Sequence, residues 1–443
     1  MEISFDRHFR YKDILRTVTP AILMMIVTSV YSIIDGYFVS NYVGTTAFAA
    51  INLVSPIAMI IAAIGFMVGT GGSALIAKTL GRKKEENANR IFSMLLQFLL
   101  SIGIPLSILL FFFAKEICQL LGAEGDLLVD SIVYTRFLSI SLPAFMLQIV
   151  FQSFYMVAGR PLLGTIMSVV CGVANVLLDL LFVVHLQMGI EGAGIATNVA
   201  EFIGGFFPIY YFSTSRKDLR LKLIHTKWMW RYIVKTCLNG SSEYVGNIAF
   251  SIVSICYNIQ LIRFLGEAGI AAYGIILYVG YIFYAIIEGY NIAITPIVGY
   301  QYGAGNKREL HNLFKKSIVI MTVGGFGLML LSELSSHPLA VLFVGYDASL
   351  TELATHAFRI YMLSFVICGV NLFISALFTG LNNGGVSAFI AIIRSLVFET
   401  GAVFILPFFL GSDGIWCAVI VAEVLSVGVS FYLIRKHRNR YGY

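Results

Sequence analysis

Apolar residues run along this chain in long stretches that short polar connections separate. A helix needs about 20 apolar residues to cross a bilayer core of about 30 Å, and twelve stretches meet this length. They cover residues 14–39, 48–77, 91–114, 131–156, 162–184, 192–213, 232–262, 270–300, 317–336, 356–379, 387–410 and 414–434. The ten-residue alternation of membrane β-barrel strands is missing from the sequence. The pattern predicts an all-α polytopic membrane protein with twelve transmembrane helices.

Landmarks of the first half of the chain recur about 222 residues later. Gly81 and Gly303 each close an apolar stretch ahead of a polar turn, and Glu201 and Glu423 lie inside corresponding stretches. Such a parallel duplication predicts two six-helix bundles related by a pseudo-two-fold axis along the membrane normal, with a substrate pathway between them. We expect an N-lobe at residues 1–213, a linker at 214–231 and a C-lobe at 232–443.

Composition and charge agree with this class. Hydrophobic residues make up 58% of the chain and charged residues 12%, and the mean hydropathy is +0.85, which excludes a soluble domain. If the N-terminus is cytoplasmic, all but five of the 30 Lys and Arg lie on the cytoplasmic side. This positive-inside pattern predicts that both termini are cytoplasmic. The net charge of +6 therefore follows the topology, and we expect no nucleic-acid partner.

The predicted linker is strongly basic. Trp228 and Trp230 stand there among six cations, which are Arg216, Lys217, Arg220, Lys222, Lys227 and Arg231. We expect a cytoplasmic helix that lies at the lipid headgroups, with its cations near anionic lipid.

Signals for enzyme chemistry are missing from the sequence. It contains neither an HExxH nor a GxSxG motif, and its six cysteines show no CxxC spacing. We expect free buried thiols, no cofactor and no metal centre beyond a site for Na⁺. Without a nucleotide-binding motif, any active transport has to draw on an ion gradient.

Seven carboxylates fall well inside the predicted spans. They are Asp35, Asp179, Glu201, Glu243, Glu288, Glu399 and Glu423. Each ionised group at mid-membrane costs about 2.5–3.5 kcal/mol, so together they require a wet cavity, a partner or a proton. Glu201 and Glu423 recur at equivalent repeat positions and are interpreted as shared scaffold.

Five polar side chains of the first half share one depth in the predicted bundle. Tyr31 and Asp35 are one helical turn apart, as are Asn175 and Asp179, and Thr197 begins the sixth helix from the same side. Their oxygens could form a cage for Na⁺. Two neighbouring carboxylates equally suit a shared proton, and the residues leave both ions open.

The second half places carboxylates among aromatic side chains. Glu243, Glu288 and Glu399 lie near mid-depth, and Tyr281 and Tyr284 stand beside them on the eighth helix. Carboxylates with aromatic faces suit lipophilic organic cations through charge and cation–π attraction. A neighbouring cation, Arg394, could instead pair with Glu399 or Glu288 and neutralise the site.

Short motifs stand along the chain in a fixed order and spacing. They are Asp35-Gly36-Tyr37-Phe38-Val39, Gly159-Arg160-Pro161, Asn175 with Asp179, Gly192-Ala193-Gly194-Ile195-Ala196-Thr197, Gly303-Ala304-Gly305-Asn306 and Gly414-Ile415-Trp416. In these motifs the chain resembles the multidrug and toxic compound extrusion family of transporters, over essentially all twelve helices. The resemblance implies antiport of organic, often cationic compounds against H⁺ or Na⁺ by rocking of two six-helix lobes.

Within the family, the chain is most similar to the DNA-damage-inducible type of bacterial and archaeal members. That similarity implies cation coupling at the five N-lobe residues and bending of the first helix at Pro20. The second half departs from another family pattern, because the tenth helix carries Asn371 and no aspartate. Asn371 is therefore included with the substrate-binding candidates, and Asn239 stands at the repeat position of Pro20.

We therefore expect an antiporter in a prokaryotic plasma membrane, acting as a monomer surrounded by lipid, that exports small organic cations or amphipathic compounds. An alternative is a flippase for a lipid-linked precursor, which would favour a strongly cationic cavity. The predicted spans instead carry seven acids against three arginines. A receptor or membrane-embedded enzyme is a further alternative without a supporting motif.

Overall fold

Helices form nearly all of the computed structural model, which describes residues 5–214, 219–345 and 347–443. Across these ranges the helices are α1 Tyr11–Phe38, α2 Thr45–Gly81, α3 Glu85–Phe112, α4 Ala114–Leu120, α5 Gly125–Val157, α6 Pro161–Asp179, α7 Gly189–Ser213, α8 Trp230–Asn239, α9 Ser241–Gly303, α10 Lys307–Val344, α11 Ala348–Met362, α12 Phe365–Gly380, α13 Gly384–Ala391, α14 Thr400–Ile405, α15 Pro407–Leu410 and α16 Ser412–Tyr441. Short π-helical segments continue three of them, at Val39–Val43, Leu180–His185 and Ile392–Glu399.

The helices account for the twelve predicted spans. In the described ranges, nine helices are long and apolar enough to cross a membrane, and α9 is one of them. Gly266 breaks α9 into two spans, because its φ of 64° and ψ of −151° lie outside the helical region. The pair α11 and α12, bent by 44°, forms another span. With α7, which is 25 residues long, the spans number twelve.

Each half of the chain packs mainly within itself. In the first bundle, α2, α3 and α7 pack against α5, and α1 packs against α6. In the second bundle, α10 packs against α11 and α12, and α16 packs against the segment Ile392–Glu399. The most extensive contacts between the bundles are those of α2 with α9, α1 with α9 and α2 with α8. The exact lobe boundaries at residues 213 and 232 stay a prediction.

Glycines let the two bundles approach closely at one end of the molecule, which we call the basic end because the Lys- and Arg-rich turns lie there. A Cβ on Gly81 would collide with the carbonyl of Tyr300, and a Cβ on Gly303 would collide with the carbonyl of Lys78. Farther along α9, a Cβ on Gly299 would lie 2.8 Å from the Ala74 carbonyl. These backbone contacts hold α2 against α9.

The linker differs from the prediction of a surface helix. Arg216 and Lys217 lie outside the described residues, and the described part, residues 219–229, is non-helical. Its backbone N–H groups donate to α3, with Lys222 N to Asn89 Oδ1 at 2.9 Å and Ile224 N to Ser93 Oγ at 2.9 Å. The prediction of a helix was wrong because these side chains of α3 satisfy the backbone of an extended segment instead.

The N-terminal segment forms the equivalent strap on the second bundle. Phe9 N donates to Glu309 Oε1 at 2.9 Å, and the Phe9 carbonyl accepts from Asn312 Nδ2 at 2.9 Å and from Lys316 Nζ at 2.6 Å. Asn312 and Lys316 stand on α10, 223 residues after Asn89 and Ser93 on α3. The duplication therefore includes the extended chain that precedes each bundle.

Candidate functional site

Three helices of the first bundle bring four of the five predicted N-lobe residues together. Asp35 on α1 faces Asp179 and Asn175 on α6, and it also faces Thr197 on α7. Asp179 is fully buried, and Asn175 is 2% exposed. The one-turn spacing of Asn175 and Asp179 puts both on the face of α6 that packs against α1 and α7.

Several oxygens of this cluster have no hydrogen-bond donor. Asp35 Oδ1, both carboxyl oxygens of Asp179 and Asn175 Oδ1 are buried, and none finds a donor among residues 5–214, 219–345 and 347–443. An ionised carboxylate only accepts hydrogen bonds, and buried acceptors are normally satisfied. The cluster therefore fits a small cation, either a proton shared by the two carboxyl groups or a Na⁺ held by several oxygens.

Local irregularity surrounds this pair of acids. The α-helical geometry of α6 ends at Asp179, where the π-helical segment Leu180–His185 begins. Four residues after Asp35, α1 passes into the π-helical segment Val39–Val43. π-Helical turns frequently mark functional sites because they change the direction of side chains within a helix. The sequence motifs located the acids but gave no sign of these turns.

Tyr31 lies one helical turn before Asp35, on the side of the cluster toward the middle of α1. A Cβ on Gly172 of α6 would stand 3.2 Å from the Tyr31 side chain, so the glycine makes room for the ring. Tyr31 faces Glu201 on α7 and Gln148 on α5. The phenol thus connects the Asp35 region with a third buried carboxyl group.

Sequence reasoning missed two residues of this site, Tyr134 and Gln148. Tyr134 on α5 lies near Asp35, Asp179 and Glu201, and the buried Gln148 Oε1 finds no donor within the described chain. A signal for Tyr134 was present, because it lies at the start of the predicted span 131–156, which begins on the same side as the span of Thr197. Gln148 had no comparable signal in a single sequence.

Pro20, the predicted hinge, lies inside α1 where two other helices contact it. Thr165 Oγ1 on α6 donates to the Pro20 carbonyl at 2.6 Å, and a Cβ on Gly289 of α9 would lie 2.5 Å from Ile22 Cα. Proline has no N–H and so removes one bond of the helical ladder. Bending at Pro20 stays a prediction. Around this residue, α1 contacts α6 of its own bundle and α9 of the second bundle.

In the second bundle, the structure brings together most of the predicted carboxylates and aromatic residues. Glu243 lies near Glu288 and near Arg394. Glu399 lies near Arg394 and near Tyr284. Three further tyrosines surround Glu399, of which Tyr257 and Tyr273 stack with ring centroids 4.8 Å apart, with Tyr361 beside them.

Tyr281 lies apart from this group. Its side chain is 46% exposed and packs against Phe250 at a centroid distance of 5.9 Å. The two tyrosines are three residues apart on neighbouring positions of one helix face, but their rings pack on different side chains. Tyr284 packs on Phe365 at 5.1 Å, on the inner side of the bundle.

Arg394 binds neither of the two glutamates that the sequence suggested. Its Nη1 lies 2.7 Å from Glu423 Oε1, and the Glu423 carboxyl group is 2% exposed. Asn371 Nδ2 donates to Glu423 Oε2 at 2.6 Å and to the Glu423 carbonyl at 2.9 Å. Asn371 Oδ1 accepts from Ser430 Oγ at 3.2 Å. Both polar atoms of the Asn371 side chain therefore bind other residues of the protein. Contact of Asn371 with substrate stays a prediction.

Glu201, which stands in the first bundle at the repeat position of Glu423, has no arginine partner among the described residues. Glu201 Oε2 is buried and finds no donor among the described residues, and no ion pair to Glu201 occurs there. The repeat position of Arg394 falls at Cys171–Gly172, so the first bundle lacks the arginine. The scaffold interpretation therefore suits Glu423, whereas Glu201 belongs to the polar cluster around Tyr31 and Asp35.

Fold and site together define a polytopic helical membrane protein of two six-helix bundles, with unneutralised acids inside both. The chain belongs to the MatE family, because the family model matches residues 20–181 and 244–404. The match falls once in each half, in agreement with the duplication. The DNA-damage-inducible subtype stays a prediction.

The relatives and solved structures agree with this assignment over the whole chain. The multidrug export protein MepA of Staphylococcus haemolyticus is 24% identical over 439 residues, which cover 98% of this chain and 96% of that protein. An outward-facing multidrug resistance MATE family transporter superposes with a TM-score of 0.92 at 24% identity, over 98% and 96% of the two chains. A MATE crystallised with MaL6 gives 0.92 at 23% identity, over 98% and 97%. The predicted fold is confirmed.

The two repeat-equivalent glutamates should differ in their effect on stability. Glu423→Gln leaves the buried Arg394 without its counter-charge, and breaking a buried pair costs about 3–5 kcal/mol. Glu201→Gln removes no ion pair of the described residues and should cost less than about 1 kcal/mol. Thermal unfolding of the detergent-purified variants measures both. Equal losses of stability in the two variants would contradict the assigned difference.

Proposed function

We propose that the protein is a secondary active antiporter that exports organic, often cationic compounds in exchange for H⁺ or Na⁺. The four buried acceptor oxygens of Asp35, Asp179 and Asn175 carry the proposal, because they find no donor in the described chain and a cation would satisfy them. Two facing carboxylates in a low-dielectric interior repel each other strongly. A proton or Na⁺ that neutralises them changes how α1, α6 and α7 pack, and so favours one conformation over another.

The second bundle supplies the candidate substrate site. Glu243, Glu288 and Glu399 carry more negative charge than Arg394 can neutralise, because Arg394 already pairs with Glu423. The tyrosine cluster around Glu399 offers ring faces to a lipophilic cation. An organic cation bound there would compete electrostatically with ion loading of the neighbouring bundle. The relatives named multidrug export proteins support this substrate class.

The way that the bundles meet supports a cycle of alternating access. The glycine contacts between α2 and α9 close the molecule at the basic end, and the positive-inside pattern assigns this end to the cytoplasm. Export requires these contacts to separate during the cycle. In this arrangement both termini face the cytoplasm of a prokaryotic cell, and a monomer contains the complete pathway.

Neutralising either acid should uncouple transport. Asp35→Asn and Asp179→Asn each remove an ionisable carboxyl while keeping its shape, so we expect ion-driven dye efflux from proteoliposomes to fall about tenfold or more. Both variants should still insert and fold, because neither acid has a cationic partner in the described residues. The exposed Asp126→Asn is the matched control and should transport normally. Wild-type efflux in both site variants would refute ion coupling at this pair.

Thermal stability should identify the coupling ion. A ligand that binds only the folded protein stabilises it by about 2.7 kcal/mol at a hundredfold excess over its Kd. If the ion is Na⁺, adding NaCl at pH 8 should raise the Tm of the wild type more than adding choline chloride does. If the ion is H⁺, the Tm should rise as pH falls in Na⁺-free buffer, because protonation removes the repulsion. The Na⁺-dependent rise should vanish in Asp35→Asn/Asp179→Asn, and the pH-dependent rise should become smaller there, because the other buried acids still take up protons. The absence of both rises in the wild type would count against the site.

A disulfide across the basic end should stop the cycle. A Cβ on Gly299 would lie 3.3 Å from Ala77 Cβ, close to disulfide geometry. Oxidised Ala77→Cys/Gly299→Cys should therefore lose the efflux that the same variant shows when reduced. The reduced variant is the baseline, because a Cβ at position 299 also lies 2.8 Å from the Ala74 carbonyl. The control pair, Gly69→Cys/Ser153→Cys, has a corresponding distance of 3.6 Å but joins helices of one bundle. Full activity of the oxidised inter-bundle pair, with its disulfide demonstrated, would rule out separation at this end.

A further inference from the structure

A cationic cavity lies at the basic end, outside the two candidate sites. Its volume is about 200 Å³, and it opens between the end of α2, the start of α3 and α8. Five cations line it, namely Lys78, Arg82, Lys84, Arg231 and Lys235. Within the described ranges, no carboxylate stands among the residues that line it. The cavity therefore concentrates positive charge from three helices on one enclosed space.

Lys78 is a buried cation in the wall of this cavity. The residue is 9% exposed, and its Nζ lies 4.4 Å from the centre of the Tyr302 ring. Across the described chain Lys78 forms no ion pair with a carboxylate, and its charged neighbours are Lys235, Arg82 and Arg440. A buried ammonium group surrounded by cations is unfavourable without a counter-ion. An anion in the cavity would remove this repulsion.

The second repeat has no such group of cations at the equivalent place. The residues that stand 222 positions after Lys78, Arg82 and Lys84 are Tyr300, Ala304 and Asn306. The cations are therefore not part of the scaffold that the two repeats share, which indicates a separate role for the cavity.

The position of the cavity indicates where that anion comes from. Trp228 and Trp230 on the approach to α8 are 44% and 64% exposed, and their ring centroids lie 5.5 Å apart. Exposed tryptophans are typical of the membrane–water interface. Arg82 and Lys84 follow directly on the long apolar helix α2. The cavity therefore lies at the depth of the lipid headgroups.

We propose that this cavity binds a phosphate group, supplied by the headgroup of an anionic phospholipid. Arginine forks and lysine ammonium groups are the side chains that recognise phosphate, and each basic residue at a charged membrane surface adds to lipid attraction. Lys78 and Arg82 belong to the first bundle, at the end of α2, whereas Arg231 and Lys235 belong to α8, which leads into the second. A phosphate between them ties the bundles together at the end where they are closed, and so favours this conformation.

Thermal unfolding in nanodiscs of defined lipid tests the site without any transport measurement. The wild type in phosphatidylglycerol should have a higher Tm than in phosphatidylcholine, and it should retain phosphatidylglycerol in native mass spectrometry. Arg82→Gln/Lys235→Gln should lose the Tm difference and retain about tenfold less phosphatidylglycerol. Lys83→Gln/Lys227→Gln is the matched control, because it removes the same charge from exposed residues that do not line the cavity.

The same measurements distinguish a lipid headgroup from free phosphate and from surface charge in general. If 10 mM inorganic phosphate in phosphatidylcholine nanodiscs reproduces the rise in Tm, the site takes free phosphate, and the assignment to lipid is overturned. Equal lipid dependence in the wild type, the site variant and the control would show a general surface-charge effect and would overturn the site itself. If the double variant does not fold, Lys235→Gln alone provides the same comparison against Lys227→Gln.

Discussion

Charge buried within a membrane has to be neutralised, and this requirement explains the arrangement of polar groups in both bundles. Glu423 is neutralised internally, because Arg394 and Asn371 hold its two carboxyl oxygens at 2.7 and 2.6 Å. Asp35 and Asp179 face each other, and several of their oxygens lack donors in the described structure. The first arrangement is permanent and supports the fold. A cation would satisfy the oxygens of the second, which is the basis of the proposed ion coupling.

The glycine contacts between the bundles connect that ion site with the opposite end of the molecule. Asp35 lies 24 residues beyond Tyr11, where α1 begins, which places it about 36 Å along the helix. Between them, α1 crosses α9 at Gly289, beside the substrate candidate Glu288. A change in α1 at its outer end can thus reach α9 through direct backbone contact. Packed interfaces of this kind switch between discrete arrangements and deform little.

The sequence predicted the parts of the site that depend on helical spacing. Asn175 and Asp179 are one turn apart, and the depth of Asp35 in α1 follows from a simple count, so their meeting was foreseeable. The partner of Arg394 was not foreseeable, because the sequence suggested Glu399 or Glu288 and only the packing of α16 brings Glu423 to the arginine. The strap at residues 219–229 was misjudged for a similar reason. Its basic composition suits a surface helix, whereas Asn89 and Ser93, far away in sequence, bind its backbone as an extended chain.

Differences between the two repeats are more informative than their similarities. Where the second half has Arg394, the first has Cys171–Gly172, and Glu201 is left without a counter-charge among the described residues. Where the first half has Lys78, Arg82 and Lys84 at the cavity, the second has Tyr300, Ala304 and Asn306. In each case the scaffold is duplicated while the charge is not. Because an unpaired buried charge is costly, the unmatched charges indicate the places where a bound ion would stabilise the protein.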